Sequence, residues 1–147
     1  HAIRRAIQYA DVLIGAVLVP GAKAPVLVSE QMVALMKPGS VIVDVSVDQG
    51  GCVETIRPTS HSEPSYKLYD VIHYAVPNMP ASVPRTSTFA LTNATLPYIE
   101  TIASMGVIKA ASKDPLIASG INVKKGAITH PAVAEAFGMR WKKWNKV

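Results

Sequence analysis

Cysteine is almost missing from this sequence, and the shortage bounds several possibilities at once. Cys52 is the single cysteine in 147 residues, so no internal disulfide can form and a reducing cytoplasm is the expected compartment. Histidine is scarce too, with four residues. No two His, Cys or acidic residues recur at helical or hairpin ligand spacing, so no metal site is expected. No apolar run approaches the ~20 residues that a membrane-crossing helix needs, and no membrane partner is expected. The opening His1-Ala2-Ile3-Arg4-Arg5 shows no charged leader with an apolar stretch and cleavage site, so no secretory signal is expected. It also lacks an initiator Met and starts in mid-pattern, which leads us to expect a truncated chain.

Acidic residues are outnumbered, 10 against 15 basic ones, for a net charge of +5. Much of that excess is Arg140, Lys142, Lys143 and Lys146, interleaved with Trp141 and Trp144. Such a tail could lie on an acidic surface or a membrane interface, but the simpler expectation is a solvated, poorly ordered terminus. The other basic residues are scattered, which argues against nucleic acid. What the chain does have is apolar surface to bury. Hydrophobic residues make up 49% and charged residues 17%, which excludes disorder.

Three apolar, β-branched runs stand out: Val12–Val19, Val41–Val47 and Val71–Val76. The first is nearly continuous, as expected of a strand buried on both faces. Between the first two, Val28–Met36 reads as a helix with Ser29 as N-cap, closed by Lys37-Pro38-Gly39. Ala2–Tyr9 reads as the end of another helix. Strand, helix, strand is a parallel crossover unit, and a loop rich in Pro, Thr, Ser and Glu leads to the third strand. A proline-stiffened loop, residues 77–84, follows. From Thr86 to Met105 the pattern is helical around Pro97, which either kinks one helix or starts a second. Ser112–Ala118 and Pro131–Phe137 read as shorter helices, and Gly120–Thr129 as loop or short strand. The expected fold class is α/β: the second half of a Rossmann-like parallel sheet, residues 1–85, and then C-terminal helices, 86–147. The first strand should have a further neighbour that the chain does not supply, so the first strands of the sheet are expected to be absent. An uncovered edge of that kind is an aggregation site.

In open α/β sheets, ligands bind beyond the carboxyl ends of the strands. Asp48, in Val47-Asp48-Gln49-Gly50-Gly51, is the only carboxylate at the three ends. It could orient a substrate ammonium group or help activate water, or it could merely cap the following turn. The glycines behind it let backbone approach a ligand. Asp44, inside the strand, reads as structural, His73 as a hydrogen-bonded core histidine, and Cys52 as a small buried residue. Arg57 could reach a phosphate or carboxylate bidentately or be a surface arginine. Nothing fixes Lys23.

Several blocks, in order, resemble alanine dehydrogenase: Gly15–Pro25, Met36–Val45, Val47–Gly51, His73–Val76 and, most telling, Val83-Pro84-Arg85-Thr86-Ser87-Thr88-Phe89-Ala90-Leu91-Thr92-Asn93-Ala94-Thr95-Leu96-Pro97-Tyr98. The resemblance implies reversible oxidative deamination of L-alanine to pyruvate and ammonia, with hydride passing to NAD. It implies that Asp48 is catalytic and lies beside the nicotinamide and substrate. It implies cofactor contacts at Val17 and Leu18, at Val45, Ser46, Val47 and Asp48, at Arg57, and at Val76, Pro77, Asn78 and Met79. It implies that the C-terminal helices return toward a substrate domain and that the enzyme is a homo-oligomer, often a hexamer. The family's Gly-rich dinucleotide loop and ribose-binding acid belong before His1. So do its substrate-binding arginine and lysine and its catalytic histidine, in an N-terminal domain. The isolated chain is therefore expected to be inactive, needing the remainder of the same enzyme. Pro77 and Ser82 stand where small residues such as alanine and glycine are expected, and the Trp-Lys tail is not a family feature. Two other readings are a transhydrogenase nucleotide-binding relative, in which the corresponding run tends to carry Glu and a later Asn, and a non-catalytic nucleotide- or partner-binding module.

Overall fold

A computed structural model describes residues 2–147. The chain divides into two compact units, His1–Met79 and Pro80–Val147. The first is a mixed α/β layer. Strands β1 (Val12–Gly15), β2 (Val41–Asp44), β3 (Ser65–Leu68) and β4 (Val71–Tyr74) form one sheet in the order β1-β2-β4-β3. The β1–β2 and β2–β4 pairs are parallel, with Gly15 opposite Asp44 and Val43 opposite Tyr74. All three parallel strands therefore end at the same edge. Helices α1 (Ala2–Ala6) and α2 (Glu30–Val33) precede β1 and β2. Ser29 caps α2 as its residue type predicts, its hydroxyl accepting from the Met32 amide at 3.3 Å.

The expected strand-helix-strand core is present, with two corrections. First, the apolar runs are not buried on both faces. Alternate residues share a face, and the face carrying Ile42, Asp44, Val71 and His73 is buried. Ile7, Val28, Val33, Met36, Cys52 and Val53 pack with it; each such aliphatic side chain contributes about 1.5–3 kcal/mol. The opposite face leaves Val12, Ile14 and Ile72 exposed. Second, the expected loop before Val71 contains β3, an antiparallel edge strand. Its turn is Tyr69-Asp70, with both residues at positive φ (53° and 58°), the geometry of a two-residue hairpin turn. Tyrosine is an unusual occupant of that region, so no turn signal was visible. The runs also overstate strand length, because both β1 and β2 stop where the chain turns at the carboxyl edge.

A short 3₁₀ turn at Met79–Ser82 leads into the second unit, whose first helix is the 22-residue α3 (Pro84–Met105). Pro97 neither starts a second helix nor ends this one. The Thr101 hydroxyl donates to the Pro97 carbonyl at 2.8 Å, one of several such back-bonds on this helix. Gly106, at φ 78°, ends it. The expected helix at 112–118 is instead two: α4 (Val107–Lys113) and α5 (Pro115–Ser119). Pro115 cannot continue α4, and the Asp114 carboxylate caps α5 from the Leu116 amide at 2.8 Å. A small hairpin, β5 (Val123–Lys124) and β6 (Ala127–Ile128), and α6 (Pro131–Ala136) follow. The Trp-Lys tail is docked, contrary to the expected loose terminus. The Lys142 amide donates to the Ile128 carbonyl at 2.9 Å, and the Lys124 ammonium donates to the Trp144 carbonyl at 2.9 Å. No helix is long and apolar enough to cross a membrane among the described residues.

Candidate active site at the carboxyl edge of the sheet

Beyond Asp44 the chain winds into a single 3₁₀ turn, Val45–Gln49, closed by Gly50 in the left-handed region at φ 94°. Asp48 therefore sits on a tight turn rather than on extended strand. Asp44, 0% exposed, organises that turn. One carboxylate oxygen accepts from the Ser46 amide at 2.8 Å, and the other from the amides of Cys52 at 2.8 Å and Val53 at 3.2 Å. The loop from Ser46 to Val53 is thus tied at both ends to one buried anion. Hydrogen bonds from three backbone donors compensate the lost hydration of that carboxylate. The structural reading of Asp44 holds, and its importance is greater than a strand-interior position suggested.

Glycines make room for this arrangement. A Cβ on Gly15 would lie 2.5 Å from the Cys52 Sγ and 3.1 Å from Asp44 Oδ1. On Gly51 it would lie 2.2 Å from a methyl of Ile56 and 3.1 Å from Asp44 Oδ2. On Gly50 it would meet the Lys23 side chain at 2.6 Å. The space beside Gly15 and Gly51 is filled by Cys52, Asp44 and Ile56, while at Gly50 only the flexible Lys23 side chain comes near and the left-handed φ of 94° favours glycine. The backbone beside Lys23 is docked, the Ala24 amide donating to the Gln49 carbonyl at 2.9 Å, and the aliphatic stem of Lys23 lies against Gly50. Cys52 is buried. Burial pushes its thiol above the ordinary value, with the Asp44 charge adding to the effect, which leaves it a poor nucleophile.

The remaining predicted residues separate by exposure. Asp48 is exposed, and one of its oxygens accepts from the Asn78 amide at 3.4 Å, a long contact that joins the β2 and β4 ends. Asn78 itself holds a positive φ of 53°. The Val17 amide donates to the Ser46 hydroxyl at 2.7 Å, joining the β1 and β2 ends. Leu18 is 68% exposed and Val45 50%, while Pro77 and Met79 are half-buried. Ser46, Val47 and Val76 are buried and shape the edge from beneath. One carboxylate with exposed aliphatic side chains on the same edge suits a flat heteroaromatic ring and a cationic substrate group. No group of His, Cys, Asp and Glu able to hold a metal occurs among the described residues.

Arg57 lies on the way to the β3–β4 hairpin. Its guanidinium carbon stands 4.1 Å over the Tyr66 ring. Tyr66 stacks on His73 with centroids 4.9 Å apart. His73, 0% exposed, pairs with the Thr55 hydroxyl at 2.9 Å and the Val71 carbonyl at 3.0 Å. Burial lowers its pKa and the Val71 carbonyl partly offsets that, so it is the core histidine its sequence position suggested. Sequence reading missed Tyr66, whose partner could be seen only once β3 was known.

The family model described as alanine dehydrogenase/PNT, C-terminal domain, matches residues 1–131. The alanine dehydrogenase of Halomonas elongata is 54% identical over 140 residues, covering 95% of this chain and 38% of the relative. A solved L-alanine dehydrogenase superposes with a TM-score of 0.75 at 54% identity, covering 93% of this chain and 38% of that one. The transhydrogenase from Sinorhizobium meliloti superposes at 0.65 with 26% identity, covering 89% and 35%. The chain thus spans little more than a third of the length of these relatives. With the fold, the strand-end edge and the family match in agreement, this chain belongs to the alanine dehydrogenase/PNT C-terminal domain family.

Proposed function

We propose that the chain is the C-terminal portion of an NAD-dependent L-alanine dehydrogenase, converting L-alanine, NAD and water to pyruvate, ammonia and NADH. The observation that carries this reading is the exposed Asp48 carboxylate on the carboxyl edge of a parallel sheet, held by a turn latched to Asp44. Ligands in open α/β sheets bind at that edge. NAD, when bound, supplies the hydride acceptor. Leu18 and Val45 would form apolar walls for it, Val17, Ser46, Val47, Val76, Pro77, Asn78 and Met79 would shape its seat, and Arg57 would meet an anionic part of the cofactor. Asp48 orients the substrate ammonium group and the water that replaces it. Residues 1–147 contain no G-x-G-x-x-G run, so the isolated chain forms no NADH from alanine. The whole enzyme is a cytoplasmic homo-oligomer. The transhydrogenase reading is weaker, because identity falls from 54% to 26% and Asp48 and Cys52 depart from the pattern expected there.

The test is stoichiometry in the whole enzyme. L-Alanine and NAD should yield NADH, pyruvate and ammonia in equal amounts. Hydride transfer between nicotinamide nucleotides, with no dependence on alanine, would overturn the reading.

A further inference from the structure

Arg57 is exposed on a loop, and a long arginine there would sample many rotamers. Here it is held at two points by one residue. The Arg57 backbone amide donates to the Tyr66 hydroxyl at 3.0 Å, and its guanidinium carbon lies over the Tyr66 ring, 4.1 Å from the centroid. Tyr66 is in turn immobilised. Its hydroxyl donates to the Thr55 carbonyl at 2.7 Å, and its ring lies 18° from parallel on His73. Tyr66 and His73 are register partners across β3 and β4. His73 is clamped by Thr55 and Val71, and its burial lowers its pKa, which disfavours a positive charge behind the guanidinium. The cation–π attraction to the ring engages none of the guanidinium N–H groups in a hydrogen bond. These donors lie in the guanidinium plane and remain free for an oxyanion. Arg57 forms no ion pair among the described residues, although Glu63 lines the same cleft of about 390 Å³.

We propose that Tyr66 is a positioning residue that presets Arg57 for an anionic group of the cofactor, a role that rests on the reading of Arg57 as a cofactor contact. Tyr66 touches no substrate and acts only through Arg57. The β3–β4 hairpin is then more than an edge closure. It is a rigid mount, running from His73 through Tyr66 to Arg57, that spares the arginine the ordering cost on binding.

A double-mutant cycle in the whole enzyme tests this, with NADH affinity read by nucleotide fluorescence titration and KM and kcat read separately. Arg57→Ala should weaken NADH about tenfold or more, the scale of one lost charge-assisted hydrogen bond. Tyr66→Leu should weaken it about fivefold, raising KM for NAD while kcat stays within about twofold, because positioning affects binding rather than chemistry. In the Arg57→Ala background the same Tyr66→Leu change should cost less than about twofold. Tyr66→Phe keeps the ring and loses both hydrogen bonds, and should fall between wild type and Tyr66→Leu. If Arg57→Ala leaves NADH affinity unchanged, the cofactor role of Arg57 fails. If Arg57→Ala weakens binding but Tyr66→Leu costs the same in both backgrounds, the positioning role fails and Tyr66 is structural only. Should Tyr66→Leu not fold, Tyr66→Phe alone decides, since an unchanged NADH affinity there overturns the proposal.

Discussion

Replacing Asp44 by asparagine removes one anion and one acceptor from the centre of the site without changing side-chain volume. An amide has a single oxygen. Turned toward Cys52 and Val53, it keeps the 2.8 and 3.2 Å bonds and strands the Ser46 amide against an NH₂. Turned the other way, it strands two backbone donors. A buried donor left without a partner costs about 1–3 kcal/mol, so the chain should choose the first orientation and lose about 1–3 kcal/mol. Asp44→Ala strands all three amides, and the same rule gives about 3–9 kcal/mol, with water entering the void favouring the lower end. That is a large share of the ~5–15 kcal/mol that stabilises a domain. Urea unfolding of the chain measures both costs. Native-state amide exchange should show Ser46 losing protection first in Asp44→Asn, with Cys52 and Val53 retained. An asparagine variant within about 0.5 kcal/mol of wild type, or an alanine variant more stable than asparagine, would refute the latch.

Two further outcomes follow from the same core. Burial holds the folded pKa of His73 below its unfolded value, so as pH falls below about 6.5 the unfolded state takes up a proton that the folded state refuses. Stability should be full above that pH and fall by up to ~1.4 kcal/mol per pH unit below it, until the folded histidine also titrates; His73→Gln should remove this component from the pH dependence of urea unfolding. Gly51→Ala places a Cβ 2.2 Å from Ile56 at φ 78°, combining ~1–2 kcal/mol of left-handed strain with ~1–3 kcal/mol of overpacking. Gly39→Ala at φ 82° meets nothing within 4 Å and should show only the first of these, so equal losses for the two variants would contradict the packing argument.

The parallel core was legible because β-branched runs, the Ser29 cap and the Lys37-Pro38-Gly39 stop all point the same way. Its hairpin edge was not. Tyr69-Asp70 adopts a turn that its residue types do not announce, and with β3 hidden the Tyr66–His73 and Tyr66–Arg57 contacts had no partners to be read from. Asp48 was visible as the one acid at a strand end, but not the 3₁₀ turn that carries it, since Val45–Val47 continue the apolar pattern of β2. The glycines after Asp48 were read for what a ligand might need, whereas the structure gives each a further reason: the left-handed turn at Gly50, and at Gly51 positive φ together with the side chain of Ile56. That distinction depends on backbone angles and side-chain distances. The break at Pro115 was written in the sequence, with Asp114 as its cap, and shows how a proline at the first turn divides a helical pattern that periodicity alone would join.

We propose that Asp48 does chemistry at this edge rather than capping its turn. Asp48→Asn in the whole enzyme tests it most directly, because the amide keeps size and the oxygen that meets the Asn78 amide while removing the charge. Alanine oxidation should be abolished, with NAD affinity changed by no more than a few-fold, about 1 kcal/mol. Near-normal alanine oxidation in that variant would contradict it.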